Sequence, residues 1–190
     1  MAYGAYYYIR QLWKRPTRAL LQERMIQWRA SEAVVPVDKP LRLDRARALG
    51  YKAKPGFVVV RVRVKRGGRT RSRHKHGRKS RKQHVRKILK MSYQWVAEIR
   101  AANAHRNLEV LNSYPLAKDG KHYFYEVILI DPERSEIKKD KDYAWIASPV
   151  NRRRAHRGLT SAAKKSRGLR SKSRNMKVRP SLRAWNRQGK

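Results

Sequence analysis

FVVVRVRVK, residues 57–65, alternates its side chains with a period of two. Val58, Val60, Val62 and Val64 share one face of an extended segment, and Arg61, Arg63 and Lys65 share the other. Such alternation reads as a strand with one face in an apolar core. The opposite, basic face is expected to meet solvent or phosphate. Because the strand runs directly into RGGR, phosphate is the better reading.

Downstream, residues 66–87 read RGGRTRSRHKHGRKSRKQHVRK and hold no Asp or Glu. Their basic side chains have no local acid to pair with, so a long basic loop, ordered by enclosing phosphates, is expected. Ser92 is placed to cap a helix with Val96, Ile99, Ala102 and Asn103 on its inner side. Leu108 to Leu116 reads as a strand and Asp119-Gly120 as a turn. YFYEVILID, residues 123–131, is the most apolar strand of the chain, and Asp131-Pro132 ends it.

Upstream, residues 4–15 read as a helix with Tyr6, Ile9 and Trp13 on one side, stopping before Pro16. Thr17 can cap a second helix with Leu21, Met25 and Trp28 at helical spacing. Val34 to Pro40 reads as extended, and Asp44 opens a helical turn that stops at Gly50. The order implies an α+β fold: an antiparallel β-sheet with packed helices on one or both faces, plus a long basic loop and a basic C-terminal extension. The expected divisions are 1–65 for the N-terminal helices and first core strand, 66–90 for the basic loop, 91–150 for the rest of the core, and 151–190 for the extension. Tyr143, Trp145 and Ile146 are expected to anchor on the core before Pro149. Leu159, Leu169, Leu182 and Trp185 are too scattered for a second core. Deleting 151–190 is therefore expected to weaken assembly more than it unfolds the body.

The chain has 50 Lys plus Arg against 13 Asp plus Glu, a formal net charge of +37. Self-repulsion on that scale opposes a compact state unless a polyanion neutralises it. No acid lies between Asp44 and Glu98, and none follows Asp142. A membrane surface is the competing anion, but no window holds eighteen uncharged apolar residues, and no membrane partner is expected. With no cysteine there is no disulfide framework and no thiol chemistry. The N-terminus has no basic region before an apolar run and is not expected to direct secretion.

Catalytic and metal chemistry find little support. His74, His76 and His84 lie close in sequence but amid uncompensated positive charge, which disfavours a cation and suits phosphate. Asp131, Glu133 and Glu136 could hold a magnesium ion, yet read more simply as surface and helix-start carboxylates. GLTSAAKK, residues 158–165, fails the phosphate-loop pattern at Ala163 and Lys165; a short helix meeting RNA phosphate is simpler. Tyr123, Phe124 and Tyr125 are read as core. Trp185, in basic surroundings, is the candidate for insertion against nucleotides or a neighbouring protein.

Three ordered blocks, RLDRARALGYKAKPGFVVVRVRVKRGGR (42–69), VLNSYPLAKDGKHYFYEVILIDP (110–132) and WIASPVNRRRAHRGLTSAAKKSRGLRSK (145–172), resemble the archaeal and eukaryotic L15e family of large-subunit ribosomal proteins. The opening YYYIRQLWKRP is similar to the start of that family, in an archaeal style. The resemblance implies a cytoplasmic structural constituent of the large ribosomal subunit that binds and neutralises large-subunit ribosomal RNA. It implies neighbouring ribosomal proteins as partners, Mg2+ only through the RNA, and no enzymatic activity, cofactor or homo-oligomer. By match and by charge, the expected RNA contacts are Arg61, Arg63, Arg66, Arg69, Arg71, Arg73, Lys75, Arg78, Lys79, Arg81 and Lys82. Arg152, Arg153, Arg154, Arg157, Lys164, Lys165, Arg167, Arg170, Lys172, Arg174 and Trp185 complete the set. A DNA-compacting chromosomal protein and an RNA-processing enzyme are the alternatives; the first predicts equal affinity for duplex DNA, the second turnover.

Overall fold

A computed structural model of the protein describes residues 3–70, 76–78, 86–87 and 89–170. Four antiparallel strands form its centre: β1 (Val34–Val37), β2 (Phe57–Lys65), β5 (Glu109–Lys118) and β6 (His122–Ile130), in the spatial order β1-β2-β6-β5. The short strands β3 (Arg69–Thr70) and β4 (Arg86–Lys87) pair separately as a two-stranded ladder. β6 is central and buried on both faces, which is why its sequence is nearly continuously apolar. Both edge strands carry a proline, Pro36 in β1 and Pro115 in β5. A missing N–H there blunts recruitment of a further strand. The β5 register also shifts around Pro115.

Helices cover both faces of the sheet. On the valine face, α4 (Tyr93–Ala104) packs over Val60, Val62, Val64, Val127 and Leu129. Ser92 caps it, its Oγ accepting from the Trp95 N–H at 3.2 Å. Its deepest line is Ala97, Glu98 and Ala101, with Val96, Ile99 and Ala102 flanking and Asn103 exposed. The inner face is thus rotated from the one read in the sequence. Alanines let the helix axis approach the sheet, and the larger aliphatics fill the sides.

On the other face lie α1 (Ala5–Lys14), α2 (Arg18–Ala30) and α3 (Leu43–Ala48). Trp28 and Ala46 pack with Tyr114, Leu116, Phe124 and Ile128. This layer corrects the reading of β2. Its basic face is roofed by α2: the Arg61 guanidinium lies 5.4 Å from the Trp28 ring and 3.4 Å from Ser31 Oγ, and Arg63 donates to the Arg29 carbonyl. Arg61 stands opposite Glu126 on β6. Glu126, 2% exposed, accepts the Tyr114 hydroxyl and the Leu41 N–H at 3.2 Å. An alternating strand looks the same whether its polar face meets water or a second layer supplying carbonyls, an aromatic ring and a carboxylate.

A third cluster closes one end of the sheet, where Ile137 of α5 (Ser135–Lys138) and Ile146 of α6 (Ala144–Ala147) pack with Ile130 and Tyr143. Gly56 makes this possible. Its φ is +94°, and a Cβ there would lie 2.8 Å from Ile137 Cγ1.

Residues 151–170 hold a further departure from the sequence reading. They do not begin as a tail. Ala155, Thr160, Ala162 and Ala163 are buried, and α7 (Ser161–Ser166) packs on α4 and β5. Thr160 caps α7, accepting from the Ala163 N–H at 3.3 Å, and donates to Glu98 Oε2 at 2.5 Å. Ser113 donates to Glu98 Oε1 at 2.5 Å. Gly158 has a φ of +72°, and a Cβ there would lie 2.9 Å from Arg167 Cδ and 3.3 Å from the Trp95 ring.

Burial raises the pKa of Glu98, against the pull of its two hydroxyl donors and Arg154. Glu126 is raised by burial likewise. Between the ordinary glutamate value and the raised folded value, the folded state holds protons that the unfolded state releases. Their stabilisation is complete below that window and is lost as pH rises through it. Glu98→Gln should remove its share of this slope. Urea unfolding of wild type and variant from pH 4 to 8 measures it; parallel profiles would refute the assignment.

Candidate nucleic-acid interface

The structure sorts the expected RNA contacts by where their guanidinium and ammonium groups end. Six arginines are tied into the protein. Arg61 and Arg63 lie under α2. Arg66 Nη1 donates to the Asp119 carbonyl at 2.5 Å and its guanidinium lies 5.0 Å from the Tyr123 ring. Arg154 donates to the carbonyls of Val110 and, at 2.9 Å, Leu111, with its guanidinium 4.9 Å from the Trp145 ring. Burial lowers the pKa of Arg154, opposed by the Glu98 and Glu109 carboxylates. Arg157 Nε donates to the Arg152 carbonyl at 3.0 Å, and Arg167 Nη1 to the Gly158 carbonyl at 3.1 Å. A guanidinium carries five N–H donors, so those with an exposed edge keep some for a phosphate.

A second group points outward: Arg78, Arg152, Arg153, Lys164, Lys165 and Arg170 are exposed. The backbone explains how three consecutive arginines divide. Arg153 adopts a left-handed φ of 53°, rare for a residue with a side chain. The Glu109 carboxylate holds it there, accepting the Arg153 N–H at 2.7 Å and the Arg154 N–H at 3.4 Å. Arg154 is thereby turned inward while Arg152 and Arg153 remain at the surface. Lys164 and Lys165 leave the opposite side of α7 from the buried Ala162 and Ala163. Arg69 is placed in β3 by its backbone alone. Arg71, Arg73, Lys75, Lys79, Arg81, Lys82, Lys172, Arg174 and Trp185 lie outside the described residues, as do His74 and His84.

The acids are used within the body. Asp140 pairs with Lys52 at 3.2 Å and with Lys54, whose hydrogen bond holds the Asp140 carboxyl down at about 2. Asp119 pairs with Arg29 at 3.4 Å. Asp131 accepts the Glu133 N–H at 3.0 Å, closing a turn before α5. Among the described residues no three or more His, Asp or Glu side chains gather as a metal site, and no helix is long and apolar enough to cross a membrane.

The profile of the family described as Ribosomal L15 matches residues 4–185. The chain belongs to the ribosomal L15 family. Among its relatives, the large ribosomal subunit protein eL15 of Methanocella arvoryzae is 49% identical over 196 residues, with both chains covered completely. The protein of the same name from Methanospirillum hungatei is 50% identical over 190 residues, covering 97% of each chain. The match extends over both helical layers, the sheet and the 151–170 segment, so the family likeness covers folded core as well as basic surface.

In this ribosomal L15 family member, several exposed cations escaped the sequence reading. Arg106 follows α4, and Arg10, Lys14, Arg15 and Arg18 line the N-terminal helices, whereas Lys65, read from the sequence as outward-facing, does end β2 at the surface. Charge alone could not separate them from other lysines and arginines. Arg106 joins Arg152 and Arg153 along one cleft, a juxtaposition of residues more than forty positions apart. The tyrosines divide differently from the sequence reading. Phe124 and Tyr125 are core, whereas Tyr123 is half-buried and stacks on Tyr93 of α4, ring centroids 4.9 Å apart.

Proposed function

We propose that this protein is a structural constituent of the large ribosomal subunit, and that its outward cations bind the backbone phosphates of large-subunit RNA. The observation that carries this is a net charge of +37 over the whole chain, whose described acids are largely engaged in pairs and turns. Such a surplus is stable only against a polyanion. Family membership makes the molecule a ribosomal protein with RNA and protein neighbours rather than an enzyme. The finer assignments are ours. Arg152, Arg153, Lys164, Lys165 and Arg170 are the strongest phosphate contacts among the described residues, because their charges lie at the surface. Arg66, Arg154, Arg157 and Arg167 brace the segments that carry them and offer their remaining N–H groups. The loop 66–90 and residues beyond 170 add charge to the same purpose. Mg2+ takes part only as a counterion of the RNA, and the site of assembly is cytoplasmic.

Recognition should rest on RNA shape, since the A-form major groove is too narrow for side-chain readout. Filter binding against large-subunit RNA and duplex DNA of matched length tests this. At moderate salt the RNA should be preferred by at least about tenfold, with affinity falling linearly in log salt. Equal affinity for both would favour a DNA-compacting role. Sedimentation of the protein away from large subunits at low salt would exclude the ribosomal one.

A further inference from the structure

Beside the phosphate-binding surface lies a cleft of about 780 Å3, within the roughly 300–1,000 Å3 typical of small-ligand sites. Three tyrosines form its wall. Tyr93 and Tyr123 stack with centroids 4.9 Å apart and planes at 27°, and Tyr125 continues the row at 6.1 Å and 29°. They project from the start of α4 and from alternate positions of β6, so the row is a direct product of the strand's period of two. Gly67 and Gly68 form part of its rim, and a Cβ added at either would meet nothing within 4 Å. The Tyr93 hydroxyl latches that rim, accepting the Gly67 N–H at 3.0 Å and donating to the Gly67 carbonyl at 3.2 Å.

The charge around the cleft is of one sign. Lys165 lines it, Arg66 lies 5.0 Å from the Tyr123 ring, and no carboxylate is among its described lining residues. Ser92 and Gln94 also line it, the Gln94 amide held by the Ser113 carbonyl and hydroxyl at 2.9 Å. An apolar peptide would need no cations, and a bare phosphate would need no aromatic wall. A nucleotide needs both.

We propose that this cleft receives an unpaired nucleotide extruded from the large-subunit RNA, its base against the Tyr93–Tyr123 wall and its phosphate toward Lys165 and Arg66. The inference rests on the RNA-binding reading and adds a stacking site to it. Base–aromatic stacking depends little on base identity, so the site selects an unpaired position rather than a sequence.

Two measurements test it. Ultraviolet irradiation of intact large subunits, followed by mass analysis, should yield a nucleotide adduct on Tyr93 or Tyr123. In the full-length protein, Tyr123→Leu keeps apolar bulk but removes the ring; affinity for large-subunit RNA should fall about tenfold with the log-salt slope unchanged. Tyr123→Phe should restore it. Lys165→Gln should instead lower the slope by about one. Wild-type affinity in Tyr123→Leu, an adduct joining Tyr93 to another protein, or the absence of any nucleotide adduct would each overturn the proposal. None of these would touch the RNA-binding reading, which fails only if the wild-type protein does not bind the RNA. Should Tyr123→Leu not fold, the adduct decides.

Discussion

Deleting residues 151–190 should abolish folding, whereas deleting 171–190 should leave a cooperative unfolding transition close to that of the full chain. The longer deletion removes Ala155, Thr160, Ala162 and Ala163 from the buried layer over α4. It also removes one of the two hydroxyls that bond the fully buried Glu98, together with Arg154, whose guanidinium bonds the Val110 and Leu111 carbonyls. Stripping partners from a buried charged group costs about 3–5 kcal/mol. Exposing the underside of α4 adds to that, and a domain of this kind is stable by only about 5–15 kcal/mol. This runs against the expectation drawn from the basic composition of 151–190, that its deletion weakens assembly more than it unfolds the body. Circular dichroism against temperature on both truncations decides the matter. A native-like transition in the 1–150 fragment would show that the 151–170 packing contributes little.

Neutralising Arg152, Arg153, Lys164 and Lys165 together with glutamine should leave the fold intact and disable RNA binding. All four are exposed, so their loss removes no buried contact. Each phosphate contact contributes about 0.7–0.9 to the slope of log affinity against log salt. Four contacts therefore account for a slope change of about three, and for about a thousandfold in affinity near 0.1 M salt. The comparison variant is Arg154→Gln. It removes the same charge from the same run of arginines, but from a half-buried position bonded to two backbone carbonyls. It should lower the melting temperature more than any of the four exposed substitutions. A fourfold variant with an unchanged salt slope would place the RNA on another face, and Arg10, Lys14, Arg15 and Arg18 would be the next cations to test.

Particular residues show why the site is less legible than the strands. FVVVRVRVK can be assigned as a strand to the residue, because a period of two suits an extended chain and little else. Ser92 sits at a helix start because a short side-chain oxygen can satisfy a free backbone N–H there; Thr17, read the same way, precedes α2 without a side-chain cap bond. Glu98 is illegible for an equally local reason. Nothing adjacent in sequence indicates that Ser113 and Thr160 will bond its carboxylate, so a charged residue is left off the inner side and the helix face rotates with it. RRR at 152–154 is uniform in sequence, and only Glu109, more than forty positions away, decides which arginine turns inward.

By itself the sequence determined the four strands of the central sheet, the main helices over it, the absence of cysteine and the excess of positive charge, and so a helix-covered antiparallel sheet suited to a polyanion. These are properties of neighbours along the chain: periodicity, capping and net charge need no distant partner. Tertiary structure alone decided which polar groups are interior and which arginines are free to reach RNA. It also decided that the first part of the basic C-terminal segment belongs to the core and that three tyrosines share a cleft. Those outcomes depend on contacts between residues tens of positions apart, where a carbonyl, a hydroxyl or a carboxylate replaces water around a buried charge.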